Sequence, residues 1–168
     1  MNRYTLAVLV RNQFGVLNRL TSMFRRRQFN ISSITASETE SGDVSRITFS
    51  FDGEENGKVQ LVNQLYKLPD VCSIKELTVE NSLSCELMLI KLQNSPSSRE
   101  EIHAAAEAFK AETIDYTKDA IVLRLIGDSR KMDDFISLMQ EHKILEICRT
   151  GTASIEKGSA TLRQNLNL

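Results

Sequence analysis

Residues 4–51 read YTLAVLVRNQFGVLNRLTSMFRRRQFNISSITASETESGDVSRITFSF, and the hydrophobic period changes along this stretch in a way that decides the fold. Tyr4 to Arg11 is an aliphatic, β-branched run with the composition of a strand, and Asn12-Gln13-Phe14-Gly15 breaks it. From Val16 the positions Leu17, Leu20 and Phe24 fall at helical spacing, with Arg19, Arg25 and Arg26 largely off that stripe. After Asn30, Ile31 to Glu38 predicts a second strand, and Ser41-Gly42-Asp43 is a turn signal. Ile47, Phe49 and Phe51 then alternate with Arg46, Thr48 and Ser50, the period of a strand with one buried face. Outward from this stretch, Leu61, Leu65 and Leu68 predict a second helix and Val71 to Val79 a fourth strand. The order is βαββαβ.

From Leu83 the same order recurs. Cys85 to Leu92 predicts a strand, and Ser98 with Glu101 forms an S-x-x-E capping box opening a helix whose buried stripe is Ile102, Ala105, Ala106 and Phe109. Ile114–Thr117 and Ile121–Ile126 are strands around a turn at Lys118-Asp119. Asp128 can cap a helix carrying Met132, Phe135, Ile136 and Met139, and Ile144 to Ser154 is the last strand. The fold class is therefore α+β: two ferredoxin-like βαββαβ domains in tandem, residues 1–80 and 83–158, followed by a polar tail, 159–168, expected to fray.

The whole chain has 168 residues, 21 Lys plus Arg against 22 Asp plus Glu, and a net charge of −1. Neither half hides a basic module: residues 1–80 carry 10 basic and 9 acidic groups, and the rest carry 11 and 13. This balance offers no field for nucleic acid or an anionic membrane. Three cysteines without C-x-x-C spacing and two histidines argue against a disulfide framework or a metal site. The short apolar run Leu6–Val10 is neither a signal sequence nor a membrane span, so a soluble cytoplasmic protein is expected.

The informative chemistry lies in Asn12–Leu17, between the first strand and the first helix. Backbone N–H groups at a helix N-terminus are unpaired and partially positive, which makes them a docking point for a carboxylate. Gly15 removes the side chain that would block the approach, and Asn12 offers an amide able to receive an ammonium group. These are the parts needed to hold the α-amino and α-carboxylate groups of an amino acid. They are equally the parts of an ordinary strand-to-helix turn. Asn30 sits at the far end of the same helix, either as a C-cap or as a second amide. That helix is roughly 20 Å long at about 1.5 Å per residue, so Asn12 and Asn30 can meet around one small ligand only across a dimer. The second strand of this topology lies at a sheet edge, open to pairing with its twin.

Other candidates have simpler readings. Arg25-Arg26-Arg27 and Asp133-Asp134 spread around their helices as solvated charge, and His103 and His142 have surface or packing roles. Cys85 and Cys148, in strands, are expected as small core residues. Catalytic and metal-binding residues are expected to be absent: paired carboxylates, a Ser/His/Asp set, a phosphate loop and a dinucleotide fingerprint are not recognisable.

The segment RNQFGVLNRLTSMFRRRQFNISSITAS closely resembles the N-terminal ACT domain of acetolactate synthase small subunits, through Asn12, Gly15, Val16, Leu17, Arg19, Phe24, Arg27, Phe29, Asn30 and Ile31. QLYKLPDV, CELMLIKL, Ile114-Asp115, Gly127 and ILEICRTG extend the resemblance over nearly the whole chain, with Cys85 where the family has Arg and Cys148 where it has Ala. The resemblance implies a non-catalytic partner that activates a large, thiamine-diphosphate-dependent subunit and confers feedback inhibition by valine. Thiamine diphosphate, Mg2+ and FAD would sit on that partner, with no cofactor in this chain. It further implies a homodimer through the ACT edge strands, with valine held by Asn12, Gly15, Val16 and Leu17 of one protomer and Asn30 and Ile31 of the other, and a C-terminal domain that contacts the catalytic subunit. Three other readings compete. One is a stand-alone amino-acid sensor with no enzyme partner. An RNA-binding module shares the fold, and Arg46–Phe51 faintly resembles its aromatic strand, but its glycines and its positive charge are missing. An acylphosphatase-like enzyme would need an Arg-bearing loop before the first helix.

Overall fold

A computed structural model describes residues 2–165, with side chains through Arg163; residues 166–168 of the expected polar tail lie outside the described residues. The chain forms two compact units, one built from the residues up to Ser84 together with those from Thr152 onward, the other Cys85–Gly151.

In the first unit, β1 (Asn2–Arg11), α1 (Val16–Arg26), β2 (Ile31–Glu38), β3 (Val44–Gly53), α2 (Glu55–Leu65) and β4 (Val71–Glu76) follow the βαββαβ order. The sheet order is β2-β3-β1-β4, antiparallel throughout, so β2 is an edge strand. Leu6, Val8 and Val10 of β1 face the helices and pack with Leu20, Phe24, Phe49, Phe51, Leu61 and Leu65. The Phe24 ring lies 4.6 Å from that of Phe49 and 5.4 Å from that of Phe51. Ala7 and Leu9, pointing the other way, are buried too, among Cys72, Leu77 and Leu162. Burial on both faces explains why β1 reads as a continuous apolar run instead of an alternating one.

Helix α1 ends in a Schellman arrangement. The Phe29 N–H donates to the Phe24 carbonyl (3.0 Å) and the Gln28 N–H to the Arg25 carbonyl (3.1 Å), with Gln28 in the left-handed region at φ 57°. The capping role open to Asn30 is therefore taken by Gln28, and Asn30 stands exposed just before β2.

The second unit contains most of β5 (Ser82–Gln93), then α3 (Arg99–Ala108), β6 (Glu112–Tyr116), β7 (Ala120–Gly127), α4 (Ser129–Met139) and β8 (Ile144–Arg149). Its strand order is β6-β7-β5-β8, and its core gathers Met88, Ile90, Leu92, Ile102, Leu123 and Phe135. Asp128 caps α4 as expected, its carboxylate accepting from the Lys131 N–H at 2.8 Å. The expected capping box of α3 does not form: the Ser98 hydroxyl pairs with Ser95 Oγ at 2.7 Å, and Glu101 lies 3.6 Å from His142 Nε2. Cys85 and Cys148 are exposed and only Cys72 is buried, because Cys85 and Cys148 project from strands away from the helix-covered core.

The last predicted strand, Ile144–Ser154, is two strands. β8 stops at Arg149, Gly151 takes φ 77°, and β9 (Ala153–Glu156) pairs with β5. A 3₁₀ turn, Leu162–Asn165, follows. Leu162 is only 3% exposed, so the described part of the tail after Gly158 is anchored by an apolar side chain on the outer face of the first sheet.

Candidate functional site

The loop between β1 and α1 is shaped by backbone before it offers any side chain. Gly15 adopts φ 80° at the N-cap of α1, a left-handed conformation that L side chains rarely take. Space matters less: a Cβ there would meet only Arg19 Nη1, at 3.4 Å. Helix α1 has no side-chain cap and no acidic residue in its first turn. The Val16 N–H donates to the Gln13 carbonyl at 3.3 Å and the Arg19 N–H to the Gly15 carbonyl at 3.1 Å. Between them the Leu17 and Asn18 N–H groups have no acceptor among the described residues, which leaves the positive end of α1 open. Val16 is buried as the first core residue of the helix, while Leu17 is exposed and Phe14 wholly so.

Asn12 is oriented by the turn joining β2 to β3. Its Nδ2 donates to Glu38 Oε1 and to the Gly42 carbonyl, both at 3.0 Å, and its N–H donates to the Asp43 carbonyl at 2.7 Å. Both side-chain partners are acceptors, so the amide nitrogen must face them. Oδ1 is left as an acceptor without a partner among the described residues. The Ser41 hydroxyl and the local backbone, with help from Arg163, hold the Asp43 carboxyl below the usual aspartate range.

Asn30 and Ile31 lie at the opposite end of β2. Ile31 pairs with Phe51 whereas Glu38, beside Asn12, pairs with Ser45. At about 3.3 Å per residue the strand separates the two groups by roughly 25 Å. One protomer thus brings together Asn12, Gly15, Val16 and Leu17 and leaves Asn30 and Ile31 far away, as the helix length predicted. Phe29 fixes this second group. Its ring lies on Gly53, where a Cβ would come within 2.5 Å of Phe29 Cε1, and stands edge-on to Phe51 at 5.1 Å. Ile31 packs partly against the same core.

The structure adds residues that sequence reading did not assign to the site. Arg19 reaches back over Gly15 while its Nε and Nη2 both approach Asp70 Oδ2 at 2.7 Å, so a fixed positive charge borders the loop. Glu38, Gly42 and Asp43 set the amide of Asn12. Their only signal in the sequence was the Ser41-Gly42-Asp43 turn, which locates a reversal and says nothing of what the reversal touches. Among the described residues no three His, Cys, Asp or Glu side chains gather as a metal site requires, and no helix is long and apolar enough to cross a membrane.

Comparison with known proteins finds matches over both units. Residues 6–73 match the AHAS small subunit-like ACT domain, and residues 85–158 match the family described as small subunit of acetolactate synthase. The chain is 41% identical to the acetolactate synthase small subunit of Bacillus subtilis, over 92% of this chain and 90% of that one. It is 38% identical to a probable acetolactate synthase small subunit of Archaeoglobus fulgidus, over 94% and 98% of the two chains. The crystal structure of the Thermotoga maritima acetolactate synthase small subunit superposes with a TM-score of 0.83 at 30% identity, covering 95% of this chain and all (100%) of that one.

Proposed function

The chain belongs to the family of acetolactate synthase small subunits, the regulatory and not the catalytic subunits of that enzyme, and from that premise we propose that it activates a large catalytic subunit and confers feedback inhibition by valine. In this reading residues 1–80 sense the effector, residues 83–158 carry the contact with the catalytic subunit, and the holoenzyme works in the cytoplasm. Thiamine diphosphate, Mg2+ and FAD belong to the large subunit.

The observation that carries the effector reading is the pairing of an uncapped α1 N-terminus with an Asn12 amide whose free atom is its oxygen. An α-amino acid presents the complementary pair. Its carboxylate meets the N–H groups around Gly15 to Leu17, and its ammonium meets Asn12 Oδ1. Because β2 is an edge strand, a twofold-related copy can add antiparallel to it. Such pairing sets the Asn30 end of one β2 against the Glu38 end of the other and so delivers Asn30 and Ile31 to the Asn12 loop of the neighbour. Ile31 then meets the isopropyl group of valine. A ligand bridging two protomers favours one dimer arrangement, with a coupling of about 1–3 kcal/mol. An apolar pocket discriminates one methylene by about 1–3 kcal/mol, so isoleucine and leucine are secondary effectors.

The test reconstitutes the holoenzyme and titrates valine against activity, with calorimetry on the small subunit alone. Gly15→Asp places a carboxylate where the ligand's belongs and combines it with an unfavourable φ. The expected outcome is activation retained and valine binding lost. Unchanged valine affinity removes the site, and valine binding without activation of a large subunit points to a stand-alone sensor.

A further inference from the structure

The last described residues of the chain return to the turn that holds Asn12. Leu162 is buried among Ala7, Leu9, Cys72 and Leu77, which fixes where the next residue starts. From that anchor Arg163 Nε reaches Glu40 Oε1 at 3.1 Å, and Nη2 donates to Thr39 Oγ1 at 3.2 Å. Thr39 is the polar hub of the turn between β2 and β3: its hydroxyl lies 3.0 Å from the Ser41 carbonyl and 2.9 Å from the Val44 carbonyl, and its N–H donates to the Val44 carbonyl at 3.0 Å. The tip of the turn has little packing of its own, since a Cβ on Gly42 would meet nothing within 4 Å. Its placement therefore depends on polar contacts. Glu38, Gly42 and Asp43, on either side of this hub, provide the three acceptors that fix Asn12. Arg163 and Asn12 also border one open space of about 400 Å³, together with Arg11 and Asp43.

We propose that Arg163 is a positioning residue for the effector site: anchored by Leu162, it holds the β2–β3 turn through Glu40 and Thr39, and the turn holds Asn12 in the orientation that binds an amino acid. This inference rests on the effector reading above, and it makes Leu162 and Arg163 part of the regulatory apparatus instead of a solvated tail. The Arg163 and Glu40 side chains are 37% and 74% exposed, and an ion pair so wet adds little to stability. Its loss should register in ligand binding and leave folding almost untouched.

The experiment compares the full-length chain with Arg163→Glu, Glu40→Arg and the double charge swap, measuring valine affinity by calorimetry and melting temperature by circular dichroism. Each single variant is expected to bind valine about three- to tenfold more weakly, the scale of residues that modulate a site without touching its ligand, while melting within a few degrees of the parent. The swap restores the ion pair but not the bond to Thr39, so it should recover part of the lost affinity, which a generic loss of structure would not do. A parent that binds valine while Arg163→Glu binds it equally well overturns this inference and leaves the effector site standing. Weakened singles with no recovery in the swap also overturn it. A parent that shows no valine binding overturns the effector reading and this inference with it.

Discussion

Lys58 lies on the buried face of α2. Its side chain is 9% exposed, and its ammonium lies 2.7 Å from both Glu55 Oε1 and Glu76 Oε2 and 4.8 Å over the Tyr4 ring. Burial alone would lower its pKa, but the two carboxylates outweigh that and hold it above the ordinary 10.5. Glu55, bonded by Lys58 and the Tyr4 hydroxyl, is held below its ordinary 4.5. The signs follow by linkage. The raised lysine contributes stability that is complete below about pH 10.5 and is lost as pH rises through its folded value. The depressed glutamate contributes stability present above about pH 4.5 and lost as pH falls through its folded value. Lys58→Met should cost about 1–2 kcal/mol at neutral pH, since two partly exposed carboxylates are left facing each other. It should also flatten the alkaline limb, as read from urea midpoints between pH 7 and 11. Nothing in the spacing of Leu61, Leu65 and Leu68 marks Lys58 as buried. A lysine reads as solvated until the fold brings Glu76, 18 positions away, to meet it.

The elements show how far local sequence carries. Of the two helix caps expected in the second half, Asp128 bonds a backbone N–H and Ser98 does not. Asp128→Ala should therefore lower stability by about 1 kcal/mol, whereas Ser98→Ala should change it by a few tenths at most, in paired denaturant titrations. The S-x-x-E spacing was present at α3, but Ser95 competes for the hydroxyl within the same loop. At the end of α1, Gln28 occupies the left-handed C′ position that glycine fills without strain. Gln28→Gly should raise the melting free energy by about 0.5–1 kcal/mol despite the greater freedom it gives the unfolded chain, measurable as a small increase in melting temperature. Its neighbours Phe29, Asn30 and Ile31 should keep their places, because Phe29 is wedged against Gly53 and Gly57. Arg25, Arg26 and Arg27 are exposed around the same helix end, as their angular spread predicted.

Across the whole molecule, the C-terminal stretch decides how complete the first unit is. Lys157 donates its N–H to the Asn81 carbonyl at 2.9 Å, Lys75 pairs with Glu156 at 3.3 Å, and Leu162 fills the outer face of β1. Leu162→Ala should cost about 2–3 kcal/mol, the range for truncating a buried leucine, and should expose the amides of β1 and β4 to hydrogen exchange. Full protection of those strands would contradict the packing described. The two βαββαβ repeats, the edge position of β2 and the separation of Asn12 from Asn30 were determined by the sequence itself, because hydrophobic period and helix length are local quantities that a short window contains. The break at Gly151, the exposure of Cys85 and Cys148, the burial of Leu162 and the reach of Arg163 to Thr39 were decided only by tertiary structure. The last of these joins residues 124 positions apart, and a contact of that span leaves no period in either segment. The amide of Asn12 shows both levels at once: its place in a strand-to-helix loop is written in residues 12–17, while the direction in which its oxygen points depends on acceptors that only the folded sheet brings beside it.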